Sequence, residues 1–258
     1  MKRKYTLKLD KLKLADLDFL KITSPHVNVM TKQLYKKIIK LPPIVDLRLK
    51  MPPIYDQGII GSCTANAFCG LIGYDKPSFL GSRLFVYYNE RKIANDVLND
   101  SGATLYDGIK CLQQYGVCLE TLWPYNVTKF AVCPSPICYK KALSNKALQV
   151  KNIQNTSFDM KTSLANGYPF VVGIAIYSSF ETNNVAISGK VPMPNMTTEQ
   201  LLGGHAVLCV GYNDIQKVWI MRNSWGIGWG MSGYFTLPYN YLLNPMLITD
   251  LWTITKMS

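Results

Sequence analysis

The sequence predicts an α+β protein in which a helical lobe precedes a strand-rich lobe. With 258 residues, 48% of them hydrophobic, the chain is long enough to bury one sizeable core or the cores of two lobes. Before about residue 145 the apolar residues recur at helical spacing, whereas β-branched and aromatic runs dominate from about residue 148. We therefore expect a helical lobe over about 56–145 and a strand-rich lobe over about 146–258.

The individual elements follow from the same periodicities. Helices are predicted over 63–72, 84–94 and 107–115. Strands are predicted over 169–177, 217–222 and 234–237. Gly116 is expected to stop the third helix, because glycine readily takes the left-handed conformation found just after helix ends.

Cys63 is the candidate nucleophile of the chain. It opens the first predicted helix, six positions after the side-chain amide of Gln57. A thiol attacks a carbonyl only as the thiolate, so the pKa of Cys63 must fall below its ordinary value of about 8.5. The unpaired N–H groups and the dipole of a helix N-terminus favour that negative charge.

His205 and Asn223 are the candidate partners of this thiol. The chain has only two histidines, and because His26 lies in a basic leader, His205 is the candidate base. A carboxamide such as that of Asn223 can hold the imidazole in its productive tautomer without adding a second negative charge. The predicted site is therefore a thiolate and imidazolium pair oriented by an amide.

Three sequence segments resemble the papain-like cysteine peptidases. They are QGIIGSC ending at Cys63, GGHAV around His205 and RNSWG around Asn223, in the order that the family has them. His205 lies 142 positions after Cys63, within the roughly 130 to 150 typical of the family, and Asn223 lies 160 after it, which an inserted strand would explain. The resemblance implies a two-lobed papain-like fold, in which an antiparallel β-barrel-like lobe faces the helical lobe across the active-site cleft.

The same resemblance implies roles for further residues around the nucleophile. The amide of Gln57 and the backbone N–H of Cys63 match the family's oxyanion donors, which are worth roughly 3 to 4 kcal/mol each. Trp225 matches the tryptophan that shields the bond between histidine and asparagine from water. No cofactor and no metal are implied.

Substrate contacts are implied at four less distinctive positions. Backbone around Gly102 and Ala103 matches the segment that pairs with an extended peptide as an added strand. The carbonyl of Gly204 matches the acceptor of a substrate N–H. Ala206 is expected to line the hydrophobic pocket one residue before the scissile position. The partner implied is therefore a peptide or protein substrate.

The chain departs from the family pattern beside the nucleophile. Ile60 and Thr64 stand where family members usually have a disulfide-forming cysteine and an aromatic residue. The missing disulfide is consistent with a reducing compartment. Cys133 and Cys138 bracket two prolines and are either free thiols or one disulfide. They complete no zinc site, because no second cysteine pair or spare histidine supplies the remaining ligands.

Residues 1–40 form a basic leader before the peptidase domain, which we expect to cover 41–258. The leader holds eleven Lys or Arg against three Asp, a net charge of +8 out of +12 for the chain. It contains a strand-like stretch over 6–9 and a hint of a short helix over 14–20. By resemblance to zymogens it is expected to lie in the cleft as a pro-segment. By charge alone it could instead be an arm for nucleic acid or another acidic partner.

The leader has no long apolar run, which argues against a signal peptide or a membrane anchor. We therefore expect an intracellular protein, either cytosolic or packaged in a particle such as a virion. The resemblance implies a cysteine endopeptidase, because family exopeptidases capture the substrate terminus with loop histidines that this chain lacks. The alternatives are a papain-fold acyltransferase and a non-catalytic basic binding module.

Overall fold

The computed structural model describes residues 4–8 and 41–258. Residues 41–258 are a helical part followed by a strand-rich part, as the sequence predicts. The helix expected over 14–20 lies outside the described residues. Of the strand expected over 6–9, Thr6 forms a parallel bridge with Gly204. No helix in the described ranges is long and apolar enough to cross a membrane.

Four helices form the first part of the domain. They are α1 (Cys63–Asp75), α2 (Arg83–Ile93), α3 (Leu105–Gln114) and α4 (Pro136–Ala142). Helix α3 begins two residues before the predicted start, because Thr104 and Asp107 form a reciprocal capping box at its N-terminus. It ends before Gly116, which has the predicted left-handed conformation with φ of 74°.

The strand-rich part is one antiparallel sheet with three short helices. The strands are β1 (Ile44–Asp46), β2 (Ala147–Asn152), β3 (Phe170–Tyr177), β4 (Leu201–Asn213), β5 (Val218–Arg222), β6 (Tyr234–Pro238) and β7 (Ile248–Met257). The helices are α5 (Ser157–Ala165), α6 (Asn183–Ser188) and α7 (Tyr239–Leu243). The strand order is β2-β7-β3-β4-β5-β6, and β1 pairs with β4. The outer strands β2 and β6 do not pair within the described residues, so the expected barrel-like lobe is an open sheet.

Helix α1 packs between the two parts and is buried along nearly its whole length. A helix that is apolar on all sides needs neighbours on all sides. On one side it lies so close to the chain before the nucleophile that a Cβ on Gly73 would be 2.7 Å from Pro52 Cγ. This packing fixes the position of Cys63 at the junction of the helical and strand-rich parts.

Two buried arginines anchor the chain segments that lead into the site. Arg222, at the end of β5, donates to the carbonyls of Pro52 (2.7 Å) and Pro53 (2.5 Å). Arg91 in α2 donates to the carbonyls of Val97 (2.8 Å) and Asn99 (3.0 Å). Each guanidinium thereby ties two backbone carbonyls of a loop to the core.

The seven cysteines are all free thiols. Cys133 is exposed and Cys138 is buried in α4, so of the two alternatives left open by the sequence, the structure has the free thiols rather than the disulfide.

Candidate active site

Cys63 is the first residue of α1, and its side chain is fully buried. The backbone N–H of Ala206, the residue after His205, hydrogen-bonds to the thiol and so brings β4 against the helix N-terminus. The structure therefore brings together the thiol and the strand that carries the imidazole, which are 142 residues apart in the chain.

His205 and Asn223 are in direct contact. His205 Nε2 lies 2.9 Å from Asn223 Oδ1, which also accepts a bond from the Ser224 N–H at 2.8 Å. Because Oδ1 is an acceptor, the proton of the neutral imidazole belongs on Nε2, and Nδ1 is then the nitrogen able to accept a proton. The sheet sets this geometry, since β4 and β5 are neighbours and Asn223 follows β5 directly.

Trp225 covers this pair of side chains. Its ring stacks on the His205 imidazole at 4.9 Å between centroids and 26° between planes. Trp229 and Phe180 pack edge-on against Trp225 at 5.0 and 5.5 Å. An aromatic wall of this kind excludes water from the bond between His205 and Asn223 and strengthens it.

Gln57 is held rigidly beside the nucleophile loop. Its Oε1 accepts from Ser224 Oγ at 2.6 Å, and its Nε2 donates to the Ile60 carbonyl at 3.0 Å. These two bonds orient the side-chain amide, with Oε1 toward Ser224 and the hydrogen-bearing Nε2 toward Ile60. One Nε2–H is used by Ile60, and the amide has a second donor hydrogen.

The pKa of Cys63 differs from the expectation. Burial raises it to about 12, outweighing the opposing hydrogen bond from Ala206, and the negative charge of Glu90 raises it further. The helix terminus and the imidazolium alone predict a lowered pKa, whereas in this structure the thiol is fully buried and residues 4–8 lie in the cleft near it. The closed site therefore holds Cys63 as a neutral thiol.

Residues 4–8, the leader segment, occupy the cleft as an added strand. The Leu7 N–H donates to the Gly204 carbonyl (3.2 Å), and the Lys8 N–H donates to the Ala103 carbonyl (3.1 Å). A Cβ on Gly102 would lie 1.8 Å from the carbonyl oxygen of Thr6, so only glycine permits this approach. The backbone positions expected to bind an extended peptide thus bind the leader segment.

Sequence reasoning missed two carboxyl groups at the site. Glu90 in α2 is fully buried and accepts from the hydroxyl of Thr64, the residue after the nucleophile, at 2.7 Å. Burial raises the pKa of Glu90 to about 8. Asn89, Arg91 and Lys92 flank Glu90 in the sequence, so the stretch looks like an exposed polar helix end and gives no local signal of burial.

Asp100 is the second missed group. Its Oδ1 accepts from the Gly61 N–H at 2.8 Å and from the Tyr87 hydroxyl at 2.5 Å. It thereby ties the nucleophile loop to the loop before Gly102, next to Ile60, which stands where family members usually have a disulfide-forming cysteine. Nothing local in the sequence indicates a contact between positions 61 and 100. Within the described ranges, no group of three or more His, Cys, Asp or Glu side chains is arranged to hold a metal ion.

The fold and this site define a cysteine-type peptidase. The chain belongs to the papain family of cysteine proteases, because the family model described as "Papain family cysteine protease" matches residues 41–244. An uncharacterized peptidase C1-like protein of Acanthamoeba polyphaga mimivirus is 40% identical over 217 residues, 79% of this chain and 70% of that protein. A probable cysteine protease of Arabidopsis thaliana is 31% identical over 216 residues, 81% of this chain but only 46% of its own length.

Solved structures agree with the fold. Xylellain, a cysteine protease from Xylella fastidiosa, matches with a TM-score of 0.84 at 40% identity, covering 98% of this chain and 97% of that one. A digestive procathepsin L 3 of Tenebrio molitor matches with a TM-score of 0.67 at 21% identity, covering 83% of this chain and 70% of that one. The second likeness is one of fold alone.

Proposed function

We propose that this chain is a cysteine endopeptidase in which Cys63, His205 and Asn223 act together. The observation that carries the proposal is the 2.9 Å contact between His205 Nε2 and Asn223 Oδ1, next to a thiol at a helix N-terminus. It leaves Nδ1 of the imidazole as the proton acceptor for that thiol.

The first half of the reaction forms a thioester. With the cleft open, Cys63 gives its proton to His205, and the sulfur bonds to the scissile carbonyl carbon. The oxyanion that develops is stabilised by the second Nε2–H of Gln57 and by the backbone N–H of Cys63. The C–N bond then breaks, and the imidazolium gives its proton to the leaving amine.

The second half hydrolyses the thioester. His205 takes a proton from a water molecule whose oxygen bonds to the thioester carbonyl. The C–S bond then breaks, the carboxylic acid product leaves, and the thiolate and imidazolium pair is restored. Endopeptidase action is favoured because the other histidine, His26, is in the leader, so residues 41–258 offer none besides His205 to capture a substrate terminus.

We further propose that the leader is an inhibitory pro-segment, and its direction in the cleft supports this. Tyr5 lies beside the imidazole of His205, 6.3 Å between ring centroids, while Leu7 packs in one buried cluster with Ala206. The leader segment thus runs, from Tyr5 to Leu7, away from the imidazole and toward the pocket that takes the substrate residue two before the scissile bond. A substrate runs the opposite way, so the leader segment fills the cleft with its peptide bonds reversed.

The setting proposed for this enzyme is a reducing one inside a cell, or a particle such as a virion. Seven free thiols support it, and so does Asp100, which ties the nucleophile loop in place without a disulfide. One relative is a viral protein, which is consistent with an intracellular setting. Nothing in the comparisons supports a nucleic-acid partner for the leader.

The experiment that tests the function is a mass-spectrometric digest of a peptide library by the full-length protein and by its Cys63→Ala variant. Endopeptidase action gives internal fragments with the mass of one added water, and the variant gives none. Fragments joined to an amine would instead identify an acyltransferase. Equal fragment patterns from both proteins would refute the role of Cys63.

A further inference from the structure

The leader segment reaches two carboxylates beside the cleft. Lys8 Nζ donates to Ser101 Oγ at 3.1 Å and lies 3.6 Å from Asp96 Oδ2. Lys4 Nζ donates to Asp100 Oδ2 at 2.5 Å. Both pairs join the leader to the loop that immediately precedes the substrate-binding backbone of Gly102.

We infer that Asp96 selects substrates, that the favoured peptides carry Lys or Arg three residues before the scissile bond, and that Asp100 adds negative charge to the same loop. Leu7 fills the apolar pocket that the family resemblance already implies for the residue two before the bond. The inference rests on the proposed function and adds to it the class of peptide that the cleft takes.

The subsite for the basic side chain is identified by what lies on either side of it. Leu7 is buried, and a Cβ on Gly173 would lie 2.5 Å from its Cδ2, so the apolar pocket is filled by one leucine. Lys8 comes next along the leader, on the side away from His205. A substrate that runs opposite to the leader segment also has a residue at the position of Lys8, because successive residues of any extended chain advance about 3.3 Å.

The carboxylate at this subsite is ionised and held in position. Hydrogen bonds from Ser101, then from Asn99, keep the pKa of Asp96 below its usual range, and Asn99 Nδ2 donates to its Oδ1 at 2.7 Å. A charge fixed by neighbours loses little side-chain entropy when it binds a cation.

These carboxylates lose their cationic partners when the leader leaves the cleft. Among residues 4–8 and 41–258, the cations paired with Asp96 and Asp100 are Lys8 and Lys4, both from the leader. An open cleft therefore presents two negative charges beside the bound peptide. A basic substrate side chain restores the pairing, whereas an acidic one is repelled.

Asp96 is the better residue to test. Asp100 also accepts bonds from Gly61 and Tyr87, so changing it would disturb the nucleophile loop. The side chain of Asp96 is 27% exposed and lies outside the catalytic group. Asp75 is a matched control, because it is an exposed aspartate at the far end of α1, about 18 Å along the helix from Cys63.

The experiment measures how fast two peptidyl acyloxymethyl ketones label Cys63 of the full-length protein, followed by intact mass. The probes carry Lys-Leu-Gly and norleucine-Leu-Gly, so they differ only in the charge three residues before the reactive group. The ratio of their rate constants within one protein does not depend on how much of the protein has an open cleft. The leader therefore need not be removed.

We expect the lysine probe to react roughly two- to fivefold faster, as for a partly exposed ion pair, with the advantage shrinking at high salt. The ratio should fall to about one in Asp96→Asn and stay unchanged in Asp75→Asn. In Asp96→Lys a glutamate-Leu-Gly probe should become the faster one. Equal rates for the two probes in the wild type would overturn this inference but not the proposed function. The same would follow if neither Asp96 variant changed the ratio. Absence of labelling by any probe, both in the wild type and in a Leu7→Asp variant that weakens the leader's hold on the cleft, would overturn the proposed function with it.

Discussion

The thiol of Cys63 and the carboxyl of Glu90 are two buried acids at the N-terminus of α1, linked through Thr64. Burial raises the pKa of both and so favours their neutral forms in the closed cleft. For Cys63 this opposes the helix terminus and the imidazolium, which favour the thiolate. In the proposed mechanism, catalysis requires the cleft to open, so that water and substrate replace the leader segment.

The oxyanion role of Gln57 gives a prediction about kcat. Gln57→Ala should lower kcat roughly 100- to 1000-fold with little change in KM, because the donor acts on charge that develops in the transition state. Steady-state kinetics on a peptidyl-coumarin substrate measures this. Ser224→Ala is the matched control, since it removes only the bond to Gln57 Oε1 and should cost far less. Equal losses in both variants would mean that Gln57 is merely structural.

Glu90 gives a prediction about stability and pH. Its folded pKa, about 8, is above its ordinary value of 4.5, so between these pH values the folded state holds a proton that the unfolded state has lost. The free energy of unfolding should thus fall as pH rises through this window, by up to about 1.4 kcal/mol per pH unit. Urea unfolding of wild type and Glu90→Gln tests this. The variant should lack that part of the slope, and parallel profiles would contradict the prediction.

Candidate site residues whose signal is local could be proposed from the sequence. Cys63, His205 and Asn223 each lie in a short, distinctive segment, and the structure brings His205 and Asn223 together and sets Cys63 against Ala206. Asp100 and Glu90 could not be found in this way. Their contacts with Gly61 and Thr64 span 39 and 26 positions, so they exist only once the helices have packed.

At the scale of elements, helix and strand positions follow from periodicity, and their ends follow from capping. Helix α3 begins at Leu105 rather than at the expected 107 because of its capping box. The sheet is open rather than barrel-like. The hydrophobic pattern of each strand does not determine which strands pair, because pairing depends on the whole lobe. The pairing of the leader segment with Gly204 and Ala103 likewise depends on tertiary contacts.

Leu7 is the leader residue most suited to a test of inhibition. Leu7→Asp should raise kcat/KM of the full-length protein on a small uncharged substrate by about tenfold or more. The physical reason is that burying a leucine stabilises the closed cleft by roughly 1.5 to 3 kcal/mol, and an aspartate loses this. Active-site titration fixes the enzyme concentration for the comparison.

Leu7→Met is the control for that comparison. Methionine keeps the apolar volume, so this variant should have nearly wild-type activity. If Leu7→Asp and Leu7→Met had the same activity as the wild type, the leader segment would not be inhibitory.

For the whole molecule, the two parts act as walls of one cleft. The helical part supplies Cys63, Gln57 and the acidic loop at Asp96, and the sheet supplies His205, Asn223 and the apolar pocket. Lys4 and Lys8 of the leader segment pair with Asp100 and Asp96 of the acidic loop, beside the backbone expected to bind a substrate.

The central claim is that Cys63 carries the acyl group of the substrate during turnover. The most direct measurement is acid quenching of the full-length protein during reaction with a slowly hydrolysed peptide ester, followed by intact mass and peptide mapping. We predict an adduct with the mass of the acyl group on the peptide containing Cys63, absent from Cys63→Ala and slower to form in His205→Ala. Product release with no adduct on that peptide, at the same rate in Cys63→Ala, would contradict the account.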